Sequence, residues 1–549
     1  MHLLTRDRLS AGILLLLLAL SFFRVHATYR TFTQTIDEPF HIAAGMEWLD
    51  RGIYRYEHQH PPLARILVAL GPYINGLRSF GKEQAVEEGT AILFTGGRYW
   101  DNLALARLGT LPFLILSAAL IYLWGRRWFG RMAGLSAVFL FLQYPPVLGH
   151  AGLATTDMAC TAAVVFLLYR FFLFIELPGM RQSIWLAVSL AFAVLAKFSA
   201  LLFALPCMAA AWAYLYFTKP EKIRAAFRPP YSRKRFPVIF LVAFFLVWAG
   251  YRFSLEPLLS TQGTFHLAVK QKLSSYPVVG PIAYSFLLHV PIPCHEIISG
   301  LHNLAIHQQS GHPAFFLGEY RLNGWYSYFP VLLVLRTPLG FLLLFVPGIV
   351  LAYTCRKSSP YTAIFTFLFP AVILAVCLPS RINIGFRHVL PLVPFMALAC
   401  GYVASFVWQK RKTAGRLAVI LCLAAAMGES IAHHPDYLAY FNPLAGQHPE
   451  NIVCDSDLDW GQDLHRLSAR LSALGRPRVG VCYFGNFPLE KSGLTNYYVL
   501  SADQPVSGYV AVSAFCLHNA FGSPTDYGWL RARTPRERIG KSIFLYDLP

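Results

Sequence analysis

The chain has 549 residues, 56% of them hydrophobic and only 14% charged. Soluble globular domains carry about 25% charged residues, so the composition excludes a soluble protein and points to a polytopic membrane protein. The formal net charge of +19 resides in short clusters between apolar runs, which argues against nucleic acid and fits membrane topology and anionic lipid headgroups.

Eleven apolar stretches are predicted to cross the membrane, at 9–28, 103–124, 132–149, 157–176, 183–196, 198–217, 236–254, 327–354, 361–379, 387–408 and 414–432. A run of about 18 or more residues suffices for a hydrocarbon core of about 30 Å. Arg126, Arg127 and Arg131 follow the second span, and Lys219, Lys222, Arg224, Arg228, Arg233, Lys234 and Arg235 follow the sixth. Arg356 and Lys357 follow the eighth span, and Lys410, Arg411, Lys412 and Arg416 the tenth. All four loops fall on one side, so the N-terminus is expected in the cytoplasm and the segment after the last span outside. The first span also reads as a signal peptide, with Arg6 and Arg8 before a Leu-rich core and Val25-His26-Ala27 as a cleavage site. That reading leaves the orientation of the remainder unchanged.

Three external segments are long: 29–102, 255–326 and 433–549. In the first, Pro39 to Asp50 places Phe40, Ala43, Ala44, Trp48 and Leu49 as on a helix lying in the interface plane. The last segment has a helical stretch near Leu464–Leu474 and strand-like runs at Arg478–Phe484, Tyr509–Phe515 and Ser542–Tyr546. The expected architecture is therefore an all-α membrane bundle over 1–432 followed by a small external α/β domain over 433–549. Ten cysteines lack CxxC spacing, which disfavours a zinc site. Cys454, Cys482 and Cys516 fall outside the membrane, where a disulfide is permitted.

Ionisable residues at membrane depth are costly and are functional candidates by default. On the external face they gather on short turns: Asp37-Glu38 after the first span, Thr155-Thr156-Asp157 between the third and fourth, and Lys197 between the fifth and sixth. The turn 380–388, with Arg381, Arg387 and His388, joins the ninth and tenth. His58-Gln59-His60-Pro61-Pro62-Leu63 follows the first carboxylate pair. Arginine suits phosphate oxygens through bidentate, charge-assisted bonds, and lysine adds a point charge. Hydrolysing a glycoside takes two carboxylates because the leaving alkoxide needs a proton. A sugar on a lipid phosphate already has a good leaving group, so one base with cations around the phosphate suffices.

Asp37-Glu38, His60-Pro61-Pro62-Leu63, Thr156-Asp157 and Lys197 resemble the glycosyltransferase C superfold, particularly its protein O-mannosyltransferase and aminoarabinose transferase branch. Leu317-Gly318-Glu319-Tyr320 with Gly324-Trp325-Tyr326-Ser327-Tyr328-Phe329-Pro330 is similar to bacterial family 39 glycosyltransferases. So are Ile384-Gly385-Phe386-Arg387-His388-Val389-Leu390-Pro391 and Asp459-Trp460-Gly461-Gln462-Asp463-Leu464. The resemblance implies a polyprenyl-phosphate-sugar donor, inverting transfer and a bacterial inner (plasma) membrane setting with an external site. It also implies a base role for Asp37, with Glu38 orienting it or binding the acceptor. His60, Asp157, Lys197, Glu319, Trp325, Arg381, Arg387 and His388 are the expected substrate-binding residues. The 255–326 loop is too short for the β-trefoil of the eukaryotic enzymes, and Ala64-Arg65 stands where they have Gly-Lys. The acceptor, whether protein hydroxyl, lipid or glycan, is thus not inherited.

Each candidate has a simpler structural reading. Asp37-Glu38-Pro39 has the form of a helix start, Asp157 that of a cap, and Lys197 that of a snorkelling side chain. Arg381 and Arg387 also suit lipid headgroups, and Glu319, Trp325 and Tyr328 an interfacial aromatic belt. His58, His60 and the carboxylates include the ligand types of a divalent metal, although the Pro61-Pro62 turn favours an ordering hydrogen bond. Asp455, Asp457, Asp459 and Asp463 loosely follow calcium spacing but lack the Gly and Glu of the hand loop, so helix capping is expected. The competing class is a transporter or flippase of a lipid-linked anion. It calls for repeated halves and matching broken helices, and the sequence displays neither.

Overall fold

The computed structural model describes residues 2–228, 231–259, 264–355, 360–410, 412–523 and 526–549. Arg356, Lys357 and Arg411, which carry part of the orientation argument, lie outside them. All eleven predicted stretches are helical. Among the described residues, seven helices are long and apolar enough to cross a membrane, or nine if each of two bent pairs is one span. The other two expected spans are Met180–Ala196, which is 17 residues long, and Tyr231–Gly250, which opens with Arg233-Lys234-Arg235.

The bent pairs correct the expectation of unbroken spans. Arg131–Leu142 and Pro145–Ala151 meet at 66°, and Tyr328–Leu335 and Leu339–Thr354 at 117°. Proline explains both positions, because it lacks an N–H and clashes with the preceding turn: Pro145-Pro146 opens one second half and Pro338 precedes the other. A break leaves backbone groups without their intrahelical partners. Protein groups serve them at the second break. Asn442 Nδ2 donates to the carbonyls of Val334 and Thr337, both at 2.7 Å, and Leu339 N donates to Glu429 Oε1 at 2.9 Å. Arg336 fills the break fully buried, donating to the carbonyls of Asp457 at 2.6 Å and Leu438 at 2.7 Å.

The segment 29–102 folds into the helices Glu38–Met46, Pro62–Ile74 and Ala85–Phe94, and Tyr99–Leu108 leads from it into the second apolar stretch. The expected interfacial helix is instead internal: every residue of Glu38–Met46 except Phe40 is buried. Small residues allow this. A Cβ at Gly45 would lie 1.9 Å from the Arg65 carbonyl oxygen, so Glu38–Met46 and Pro62–Ile74 touch backbone to backbone.

After the last span, the chain forms a five-stranded sheet. In chain order the strands are β1 (Leu255–Pro257), β2 (Pro291–Pro293), β3 (Ala314–Phe316), β4 (Glu319–Arg321), β5 (Val479–Cys482), β6 (Tyr497–Val499), β7 (Gly508–Ser513), β8 (Glu537–Ile539) and β9 (Ile543–Leu548). The C-terminal sheet has the order β6-β5-β7-β9-β8, with β5 parallel to β6 and β7, and β9 antiparallel to β7 and β8. The predicted helix is Leu464–Ala473. Cys482 and Cys516 form a disulfide, and Cys454 is free and buried. β1 pairs with β2 and β3 with β4 as two small hairpin-like pairs. One apolar core contains membrane residues such as Trp124, Phe365 and Phe395 together with Val453, Leu458, Val510 and Val512 of the C-terminal segment.

Candidate active site

The adjacent carboxylates Asp37 and Glu38 have different surroundings. Glu38 is wholly buried: Arg107 Nε and Nη2 donate to its two oxygens, each at 2.8 Å. The backbone N–H groups of Thr35 and Ala154, both at 2.8 Å, and the Thr35 hydroxyl at 3.3 Å also donate to it. Arg107 also binds the carbonyls of Tyr29, Phe32 and Thr33 at 2.9–3.0 Å. The pair therefore ties the end of the first span to the 154 turn and to helix Tyr99–Leu108. A buried charge pair is stable only when such additional bonds satisfy both ions. Asp37, with 29% of its side chain exposed, accepts from Arg387 Nη1 at 2.5 Å.

The sequence around 455–463 explains how this arrangement is held. Trp460 lies under the Arg387 guanidinium at 4.4 Å, a cation–π contact that flattens the side chain against the loop. The Trp460 carbonyl accepts from Ile36 N at 3.2 Å, and that of Gln462 from Thr33 N at 3.0 Å, so the irregular segment leading into Asp37 is bonded to this loop. The carboxylate of Asp457 accepts from Phe386 N at 2.9 and 3.0 Å, and Asp459 accepts from Phe515 N at 2.9 Å. Asp463 stands at the start of Leu464–Ala473 without capping it; its Oδ2 accepts from Lys541 N, Ser542 N and the Ser542 hydroxyl at 2.9–3.1 Å. The capping expectation is corrected: these acids join segments distant in sequence, because each faces unpaired N–H groups across the interface. Glycine is required where the turn meets the loop. Gly385 has φ +124°, and a Cβ there would lie 2.3 Å from Ser456 Oγ.

A second ion pair faces the first. Lys197 Nζ donates to Asp157 Oδ1 at 2.7 Å, and Thr155 Oγ1 to Asp157 Oδ2 at 3.2 Å. Lys197 is the extended residue between helices Met180–Ala196 and Ser199–Thr218, and 16% of its side chain remains exposed. His60 Nδ1 lies 3.5 Å from Thr156 Oγ1, and its ring meets that of His41 edge-on at 5.2 Å. Arg65 Nε donates to His41 Nδ1 at 3.2 Å, while its other nitrogens bind Glu57, Tyr54 and nearby carbonyls. Burial first, then the Arg65 charge, holds both His41 and His60 well below the usual histidine range, so both rings are neutral at pH 7. His388 is within electrostatic reach of Arg387, Lys197 and Asp157 and stacks on Phe329.

The structure thus gathers Asp37, His60, Asp157, Lys197, Arg387 and His388. Glu319 is exposed in β4 and pairs with Arg321 at 2.7 Å. Arg381 is exposed and donates to the Gln309 carbonyl at 2.9 Å. Trp325 is half-buried, packs on Phe316 and is fixed through Asn383, whereas Tyr328 is 1% exposed in the core. Arg107 and Arg336 carry no motif that marks them as site-building residues, and the sequence marks Trp460 and Asp455 only as parts of a motif and of a calcium-like spacing. Among the described residues, no group of three or more His, Cys, Asp or Glu side chains is arranged to hold a metal. His58 Nε2 instead bonds the Tyr54 carbonyl.

Comparison with known proteins bears on the fold. Residues 101–248 match the sequence model of the family described as dolichyl-phosphate-mannose-protein mannosyltransferase. No curated protein matches the chain. The S. cerevisiae protein O-mannosyltransferase Pmt1-Pmt2 complex bound to the sugar donor is similar with a TM-score of 0.52 at 12% identity, covering 78% of this chain and 90% of that one. ArnT from Cupriavidus metallidurans in the apo state has a TM-score of 0.48 at 13% identity, covering 98% of each chain. Archaeal oligosaccharyltransferase AglB from Archaeoglobus fulgidus, in complex with an inhibitory peptide and a dolichol-phosphate, has a TM-score of 0.46 at 13% identity, covering 77% of this chain and 56% of that one. The resemblance read from the motifs holds at the level of fold: a helical glycosyltransferase C membrane architecture with a small C-terminal sheet.

Proposed function

We propose that this integral membrane protein is a glycosyltransferase that moves a sugar from a polyprenyl phosphate to an external acceptor hydroxyl, inverting the anomeric centre. The observation that carries the reading is the partly exposed Asp37, bound to Arg387 beside the Lys197–Asp157 pair. Asp37 takes the proton of the acceptor hydroxyl as its oxygen attacks the anomeric carbon. The bond from that carbon to the phosphate oxygen breaks, and its electron pair stays on the phosphate. Arg387 and Lys197 stabilise that charge where it develops. An incoming phosphate also competes with Asp37 for the guanidinium, which frees the base when the donor is in place. Glu38 positions Asp37 through Arg107. His60 and His388 line the site, Trp325 and Glu319 belong to the acceptor or sugar platform, and the exposed Arg381 is a further cation for the lipid phosphate.

The matched family and the sugar donor named for Pmt1-Pmt2 support a lipid-linked sugar substrate. The positions of Lys and Arg support a cytoplasmic N-terminus with the site on the opposite face of the membrane. Purified protein given polyprenyl-phosphate sugars and a panel of protein, lipid and glycan acceptors should transfer the sugar. Lipid flipping in vesicles without transfer of any sugar would instead identify a transporter.

A further inference from the structure

One buried side chain beside the site has no part in the transfer step. His150 stands in the last turn of helix Pro145–Ala151, the short half of the span bent at Pro145-Pro146. It is wholly buried, and neither ring nitrogen has a hydrogen-bond partner among the described residues. Burial without partners is costly for a polar group, so the ring is a donor held in reserve. Its helix is fixed by close contacts. A Cβ at Gly149 would lie 2.9 Å from Leu438 N, and Thr110 Oγ1 donates to the Ala151 carbonyl at 2.7 Å. The ring is thereby held between the two ion pairs of the site. Its Nδ1 lies 3.8 Å from Asp157 Oδ2, just beyond hydrogen-bond reach. It also meets the Trp460 ring edge-on at 6.2 Å, and that ring underlies Arg387 at 4.4 Å.

The Asp157 carboxylate has one strong partner. Lys197 Nζ donates to Oδ1 at 2.7 Å, and Oδ2 accepts the longer bond from Thr155 Oγ1 at 3.2 Å. Lys197 keeps 16% of its side chain exposed and Asp157 only 1%. A phosphate can therefore draw the ammonium toward itself, but the carboxylate cannot follow. It would be left as a buried charge short of its cation, which is strongly unfavourable. We propose that His150 is a positioning residue for sugar transfer: as Lys197 turns to the donor phosphate, His150 Nδ1–H closes on Asp157 Oδ2 and holds the buried carboxylate in place. The inference rests on the donor reading above. A movement of about 1 Å brings the two atoms to hydrogen-bond distance, and a bond to an ionised acceptor is among the stronger ones. Donor affinity therefore depends on His150, whereas the stability of the unliganded protein does not.

The test is equilibrium binding of a short-chain polyprenyl methyl phosphodiester to the purified full-length protein, with thermal melting of the same unliganded samples. His150→Leu fills the space without a donor and should bind the phosphodiester about tenfold more weakly than wild type. Its unliganded melting point should stay equal or rise, because an apolar side chain replaces an unpaired buried imidazole. His150→Asn, whose amide N–H stands near the position of Nδ1, should keep most of the affinity. In Asp157→Asn the carboxylate charge is gone, so adding His150→Leu should cost no further affinity. Equal affinity of wild type and folded His150→Leu overturns the inference and leaves the donor reading standing. So does a lowered melting point or failure to fold of His150→Leu, which makes the role structural. His150→Asn as weak as His150→Leu, or independent losses in the double variant, overturns it as well. Absence of binding by folded wild type overturns the donor reading and the inference with it.

Discussion

At the residue scale, two consecutive acids divide between exposure and burial. Asp37→Asn keeps the shape and the contact with Arg387 but cannot take a proton, so sugar transfer should fall about 10²–10⁴-fold in kcat with donor binding retained. Wild-type turnover by that variant would remove Asp37 as the base. Lys197→Met leaves Asp157 as a buried carboxylate without its cation, which predicts loss of folded protein as well as donor affinity. Adding Asp157→Asn should restore folding but not donor binding, a separation read from thermal melts and titration of the same double variant. The sequence made Asp37, Asp157, Lys197 and Arg387 legible because charge is conspicuous among apolar residues. It could not separate Asp37 from Glu38, since the distinction depends on Arg107, 69 positions away.

At the element scale, helix Glu38–Met46 and loop 455–463 position the site. The Glu38–Arg107 pair is fully buried on both sides, so Arg107→Ala should destabilise the protein by about 3–5 kcal/mol, detectable as a lowered unfolding midpoint. A melting curve equal to wild type would contradict this anchoring role. Trp460→Ala removes the ring beneath Arg387. The donor KM should rise several-fold while the sheet remains intact by circular dichroism. Sequence periodicity placed Pro39 to Asp50 on a membrane surface because its apolar positions follow helical spacing. In the fold that helix is covered on its other side by Pro62–Ile74, through the absence of a side chain at Gly45, a contact that no periodicity reports.

At the scale of the molecule, the C-terminal segment is structurally continuous with the membrane bundle. It shares the core, supplies the Asp457 and Leu438 carbonyls that bind Arg336, and seals the broken eighth span through Asn442. Truncation after residue 432 should therefore yield no monodisperse membrane protein in detergent. A stable, folded truncation would show that the bundle is self-sufficient. The sequence by itself determined the membrane character, the eleven helical stretches and three of the five strands after them, since length, hydropathy and alternation are local properties of the chain; the short edge strands β6 and β8 were not legible in it. It also marked the turns where charge meets the membrane. Only the tertiary structure decided which of those charges converge, that Glu38 turns inward, that two spans break, and that the acids of 455–463 clamp the site. These outcomes depend on contacts between residues hundreds of positions apart, where burial selects the partner of each charge and each open backbone group.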